Sequence, residues 1–142
     1  GMFTGLHLYN KYSLTSVKSD SVELYSDVCR GNVCHIGNIT ARRPGVELNF
    51  ENTRVIEALE ILQNYSEIPE LDKTKFARYA KQFARGYNDE AAVTVIRSMK
   101  YKKRTIAFMK KILDTYKVTN TLSQFLSNAS HYKIPTFFKL AR

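Results

Sequence analysis

The hydrophobic period of this chain changes near residue 51, and the change limits the folds that the chain can adopt. Residues 2–50 contain short runs in which apolar and polar side chains alternate, a pattern that predicts half-buried strands. In residues 51–142 the apolar side chains recur every three or four positions, which predicts amphipathic helices. We therefore expect one α+β domain over residues 1–142, with a small antiparallel N-terminal sheet of hairpins packed against four to five mostly C-terminal helices.

Turn residues and alternation predict the strands of the sheet. A Gly-Asn pair at residues 31–32 suits the two-residue turn of a hairpin between residues 21–30 and 33–40. Residues 46–50 alternate cleanly between apolar and polar side chains, which predicts another strand. We expect a further strand over residues 3–9.

Helical periodicity and capping residues predict the helices of the C-terminal part of the chain. Asn52 or Thr53 is expected to cap the first helix, and Gly86 is expected to end the second. Residues 66–72, which contain Pro69 and three acids, are predicted to be a loop between helices or the hinge of a subdomain. Helices are predicted over residues 52–65, 73–87, 89–100, 101–117, 121–130 and 135–142.

The charged residues are distributed unevenly between the two halves of the chain. The formal net charge is +9. Residues 1–72 hold six Lys or Arg and ten acids, whereas residues 73–142 hold sixteen Lys or Arg and three acids. A surface that serves only solubility usually mixes both signs, so a helical half with so few acids favours a site for an anionic partner.

Two of the predicted helices carry cations on the face opposite their apolar side chains. In residues 73–87 the basic face is unbroken, and in residues 101–117 one acid, Asp114, interrupts it and can pair with a lysine at helical spacing. Both faces are either ordinary solvated sides of core helices or a phosphate-binding surface, which needs several cations because each releases counterions. We predict that a nucleic acid contacts these faces and two arginines of the N-terminal half: Arg78, Lys81, Arg85, Lys103, Arg104, Lys110, Lys111, Lys117, Arg42 and Arg43.

Cys29 and Cys34 admit three interpretations. The sequence start lacks the pattern of a secretory signal, so we expect a reducing, cytoplasmic setting and free thiols. If residues 31–32 form the turn, the two cysteines face each other at a non-hydrogen-bonded position, where a cross-strand disulfide is geometrically allowed. His35 could complete a set of three zinc ligands, but neighbouring strand residues point to opposite faces, and we expect no metal.

Recognisable enzyme motifs are absent from the sequence, and we expect no catalytic residue and no cofactor. Glu23, Asp27 and Glu47 could assemble around Mg²⁺ to cleave phosphodiesters, which keeps a metal-dependent nuclease as an alternative. Residues 121–142 also permit a helix-turn-helix interpretation. A C-terminal helix that docks on the core is favoured over it, since the turn lacks glycine.

These observations lead to two main expectations for function. The first is a non-enzymatic nucleic-acid-binding protein, accessory or regulatory, that neutralises backbone phosphates of DNA or RNA. A membrane is not an expected partner, because the core uses the apolar faces. The second is a protein-interaction or self-assembling module, in which the acidic half of one copy docks on the basic half of another. If acids of helix 52–65 cover one of the basic faces, the protein-interaction or self-assembling module is favoured.

Overall fold

The fold combines a four-stranded sheet with a group of five α-helices, counted over the part of the chain that the structure describes. The computed structural model describes residues 1–128 and 131–135. Its strands are β1 (Met2–Thr4), β2 (Val22–Tyr25), β3 (Val33–Ile36) and β4 (Ile39–Arg42). Its helices are α1 (Gly5–Lys11), α2 (Phe50–Gln63), α3 (Lys73–Arg85), α4 (Asp89–Ser98) and α5 (Lys103–Thr115). The predicted α+β class is confirmed.

The sheet is mixed, so the prediction of a purely antiparallel sheet is wrong. The strand order is β1-β2-β4-β3; β2 and β4 are parallel, and the two outer pairs are antiparallel. The hairpin joins β3 to β4 through Gly37-Asn38, with Gly37 at φ 59°. The sequence contains two Gly-Asn pairs, and the second forms the turn where the first, at residues 31–32, was predicted to.

Two other predicted strands are helical or irregular. The strand predicted over residues 3–9 ends at Thr4, because Gly5 (φ 65°) turns the chain into α1. The strand predicted over residues 46–50 does not form. Instead, the Asn49 side chain accepts a hydrogen bond from the Asn52 N–H at 2.8 Å, and α2 begins at Phe50, two residues before the predicted start. The prediction that Asn52 or Thr53 caps this helix is therefore wrong.

The ends of α2, α3, α4 and α5 lie within two residues of their predicted positions. Asp72 and Asn88 cap α3 and α4 by accepting hydrogen bonds from main-chain N–H groups, and Gly86 follows α3 as expected. Residues 66–72 connect α2 to α3, partly through a 3₁₀ helix over Tyr65–Glu67. Of the helix predicted over residues 121–130, the described part, residues 121–128, contains only a 3₁₀ helix, Leu122–Phe125. The Asn120 side chain accepts a hydrogen bond from the Leu122 N–H, and the Gln124 side-chain amide donates to the main-chain oxygen of Thr121. Residues 129–130 and 136–142, and with them most of the last predicted helix, lie outside the described residues.

Helix α2 is the centre of the core. Six of its apolar side chains are buried, and it contacts α1, α4 and α5. Phe76 of α3 is fully buried, and its ring centroid lies 4.8 Å from that of Tyr65 and 6.1 Å from that of Phe108 in α5. This aromatic cluster joins α3 to α5. Within the described residues, no helix is long and apolar enough to cross a bilayer.

Cys29 and Cys34 form a disulfide, with Cα atoms 6.0 Å apart. The expectation of free thiols is therefore wrong, and the disulfide alternative is confirmed. Its setting differs from the predicted one: Cys29 lies in the connection before β3 and Cys34 lies within β3, so the bond does not join paired strands. The zinc interpretation also fails, because the two sulfur atoms are bonded to each other and are not free to bind a metal.

Counting thiols in denatured protein tests this bond. Because the sequence has two cysteines and both are bonded, we expect no maleimide label before reduction and two labels after it. Intact-mass spectrometry of the labelled chain gives the count. Two labels in protein that has never met a reductant would contradict the disulfide and restore the thiol prediction.

Candidate nucleic-acid interface

Helix α3 presents the first predicted basic face to solvent. Three aromatic and three alanine side chains of this helix are buried, which turns its other side outward. On that side Arg78 and Arg85 are exposed and Lys81 is half-buried. None of these three residues, called the α3 stripe below, forms an ion pair within residues 1–128 and 131–135. Their charge is therefore available to an anionic partner.

Helix α5 carries the second predicted face, called the α5 stripe, and part of its charge is engaged within the protein. Lys110 Nζ lies 2.6 Å from Asp114 Oδ2, the pairing that helical spacing predicted. The Arg104 guanidinium donates to the main-chain oxygen of Gln63 at 3.4 Å. The exposed cations of this stripe are Lys103, Arg104, Lys111 and Lys117. The α3 stripe is therefore the stronger candidate.

The two stripes lie on helices that pack against each other. Phe76 near the start of α3 packs on Phe108 of α5. Arg85 at the end of α3 acts on Tyr116, which caps the end of α5: burial raises the pKa of Tyr116, and the positive charge of Arg85 opposes that rise. Lys117 follows Tyr116 directly. The charge of Arg85 therefore acts at the end of α5.

The two predicted arginines of the N-terminal half have other surroundings. Arg42, in β4, lines a cleft with Glu23 and Glu60. Burial raises the pKa of Glu60, and the charge of Arg42 counteracts it, so the two groups interact. Arg43 is exposed, and its main-chain N–H donates to the Asn32 oxygen at 2.9 Å. Part of the charge of Arg42 is therefore offset by acids of its own cleft.

A second group of cations, of which the sequence analysis indicated only Arg85, lines a cleft between α1, α2 and α3. Lys11, Arg54 and Arg85 each come from a different helix, and the cleft, called the α2–α3 cleft below, has a volume of about 740 Å³. Phe50 stands at its edge with 70% of its surface exposed. Two of these cations belong to the acidic half of the chain, so counting charges along the sequence could not find them. The sequence did contain one indication of an exposed ring at this cleft: Phe50 directly follows Asn49, the residue that caps α2.

Two of the three acids of α2, Glu57 and Glu60, interact with groups outside the basic stripes. Glu57 is 3% exposed, and its carboxylate accepts from Lys11 Nζ and from the Tyr12 hydroxyl, both at 2.6 Å. Burial and the bond to Glu57 raise the pKa of Tyr12, which keeps this hydroxyl a donor at neutral pH. Glu60 faces Arg42. Neither of these two carboxylates forms an ion pair with a cation of the α3 or α5 stripe in the described residues.

The acids proposed for a nuclease do not form a metal site. In residues 1–128 and 131–135, no group of three or more His, Cys, Asp or Glu side chains could hold a metal ion. Glu23 lines the cleft beside Arg42, whereas Glu47 lines a groove beside α4. Asp27 is exposed in the loop after β2. The arrangement therefore gives the nuclease alternative no support.

Comparison with protein-family models, curated proteins and solved structures found no match. The function of this chain has to be argued from the charges, clefts and exposed rings of the structure itself.

Proposed function

We propose that this chain is a non-enzymatic nucleic-acid-binding protein with an accessory or regulatory role. The observation that carries the proposal is the α3 stripe. Its arginines are exposed, its three cations form no ion pair in the described residues, and its helix packs on α5, which carries the α5 stripe. Several cations on one surface are what a phosphate backbone requires.

The mechanism is neutralisation of backbone phosphates with release of counterions. Phosphate contacts fix the position of a protein on a nucleic acid but carry no sequence information. The stripes offer Lys and Arg side chains and no set of small polar residues for reading base edges, so we expect binding that tolerates most sequences. Its affinity should fall steeply with salt, by about 10³ to 10⁵ between 50 mM and 200 mM if six to ten phosphates are contacted.

Fluorescence anisotropy with labelled oligonucleotides tests the proposal. A single strand and a duplex of about 20 nucleotides are titrated with the full chain at several salt concentrations. We expect binding at 50 mM salt, with a linear fall of log K against log salt of slope about −4 to −9 for six to ten phosphate contacts. Absence of binding at 50 mM, or affinity that salt does not change, would contradict the proposal.

Self-association remains a second candidate, and one observation favours it. One of the two outer strands, β3, has no further neighbour in the described sheet, and Val33 and Ile36 on it are 48% and 73% exposed. An unpaired, apolar edge is a template for pairing with another chain. Light scattering without nucleic acid, measured against ionic strength, tests this candidate. Oligomers that persist at high salt would indicate edge pairing, oligomers that dissociate would indicate docking of charged halves, and a monomer at all salts would exclude both.

A further inference from the structure

The α2–α3 cleft has the size and lining of a site for a small ligand with an aromatic part. Its volume of about 740 Å³ falls within the range of pockets that bury such ligands. Tyr12 and Tyr79 form part of its lining, with ring centroids 4.5 Å apart. Phe83 contributes another ring. Aromatic side chains thus line both the interior and, at Phe50, the edge of the cleft.

The charge in the cleft is net positive. Of its three cations, Lys11 is held by Glu57, which is the cleft's one acid in the described residues. Arg54 and Arg85 form no ion pair in that part of the chain. The pairing of Lys11 with Glu57 cancels one positive charge, so two guanidinium groups are left to bind an anion. Guanidinium groups match phosphate oxygens in geometry as well as in charge.

Phe50 and Arg54 are already arranged as a stacking surface. They lie one turn apart on α2, and Arg54 Cζ is 5.6 Å from the centroid of the Phe50 ring. The Asn49 cap fixes the backbone of the first turn of α2, to which Phe50 belongs. A large apolar ring that is 70% exposed gains free energy if a flat ligand covers it. Nucleobases stack on rings and guanidinium planes of this kind in single-stranded nucleic-acid sites.

The geometry points to the α2–α3 cleft as a subsite for one unpaired nucleotide, with its base stacked on Phe50 and its phosphate bound by Arg54 and Arg85. This inference rests on the proposed function and makes it more specific. Arg85 belongs both to the cleft and to the α3 stripe, so a strand that follows the stripe reaches the cleft. A base inside a duplex cannot expose its face to Phe50. The expected partner is therefore single-stranded nucleic acid.

Titrations of full-length variants with a 20-nucleotide oligo-dT and a duplex of equal length test the subsite. Phe50→Ala should bind the single strand about 5- to 150-fold more weakly, the range found for loss of one stacking side chain, with an unchanged salt slope. Its affinity for the duplex should stay as in the wild type. Phe50→Tyr, which keeps a ring, should retain wild-type affinity. Phe3→Ala, which removes another exposed Phe that lies outside the cleft, is the matched control and should also retain it.

A second variant tests the role of Arg54 without changing the charge. A Cβ at Gly86 would contact the Arg54 guanidinium, and Gly86 has φ −101°, which alanine adopts readily. Gly86→Ala should therefore fold normally, displace the guanidinium and weaken binding of the single strand but not of the duplex. Unchanged affinity of Gly86→Ala would remove Arg54 from the inferred site.

The outcomes separate the subsite from the proposed function. If the wild-type chain binds neither oligonucleotide at low salt, the proposed function fails and the subsite fails with it. If the wild type binds with a steep salt slope but Phe50→Ala binds oligo-dT equally well, the subsite is wrong and the proposed function stands. Equal losses on single strand and duplex would also overturn the stacking role. So would competition by poly-glutamate as strong as that by oligo-dT, since poly-glutamate has no ring to stack.

Discussion

Replacing Arg78 and Lys81 by glutamine is expected to weaken binding of single-stranded DNA by about 10- to 100-fold at 50 mM salt. The physical reason is the loss of two phosphate contacts and of the counterions that they release. Neither residue forms an ion pair within the described residues, so the folded protein loses little when they are changed. Arg85 is left in place because it also lines the α2–α3 cleft, and the variant then reports on the stripe alone.

The matched control for this variant is Lys18→Gln with Arg30→Gln. It removes the same amount of positive charge from exposed residues of the N-terminal half. We expect its affinity to stay within about threefold of the wild type, since charges that do not contact the strand act only through a screened field. Anisotropy at 50 mM salt gives both values. Equal losses in the two variants would show that net charge, and not the α3 stripe, controls binding.

Replacing Phe76 by alanine is expected to lower the free energy of unfolding by about 3–5 kcal/mol, the usual cost of truncating a buried Phe. Phe76 is fully buried, and its ring contacts Tyr65, Tyr79 and Phe108. The variant leaves a cavity where α3, α5 and the connection after α2 meet. Urea denaturation followed by circular dichroism measures the change, which is a large part of the stability of a typical domain.

Phe50→Ala is the control for this second prediction. Phe50 is exposed, so its truncation should change the free energy of unfolding by no more than about 0.5 kcal/mol. The two Phe variants thus separate stability from binding: the first should lose stability, and the second should lose affinity for a single strand. A cost below about 1 kcal/mol for Phe76→Ala would mean that the aromatic cluster is not a main source of stability.

The sequence predicted most reliably those features that depend on neighbouring residues. The period of residues 73–87 is sharp, and α3 places its aromatic side chains in the core and Arg78 and Arg85 in solvent as that period requires. The prediction that Gly86 follows this helix also depends on local chemistry, and it is confirmed. The pairing of Lys110 with Asp114 follows from helical spacing alone.

Features that depend on competition between similar local signals were predicted less well. Two Gly-Asn pairs lie six residues apart, and only tertiary pairing of β2 with β4 decides that Gly37-Asn38 forms the turn. Residues 46–50 alternate like a strand, but the cap that Asn49 supplies to α2 outweighs that pattern. The parallel pairing of β2 with β4 has no local signature, because it joins strands that are separated by β3.

The candidate site could be predicted only in part for the same reason. The α3 stripe lies on one helix, so its spacing is visible in the sequence. Lys11, Arg54 and Arg85 come together from three helices, and no pattern within one segment brings them close. The sequence also could not show that Glu57 would accept hydrogen bonds from Lys11 and Tyr12. The pairing of Glu57 with Lys11 decides the net charge of the cleft.

The most direct test of phosphate binding by the α3 stripe is the slope of log K against log salt, measured side by side for three proteins on the same single strand. The wild type and the Lys18→Gln/Arg30→Gln control should share one steep slope. The Arg78→Gln/Lys81→Gln variant should be less steep by about 1.4, which is about 0.7 for each lost phosphate contact. Equal slopes for all three proteins would contradict phosphate binding by the α3 stripe.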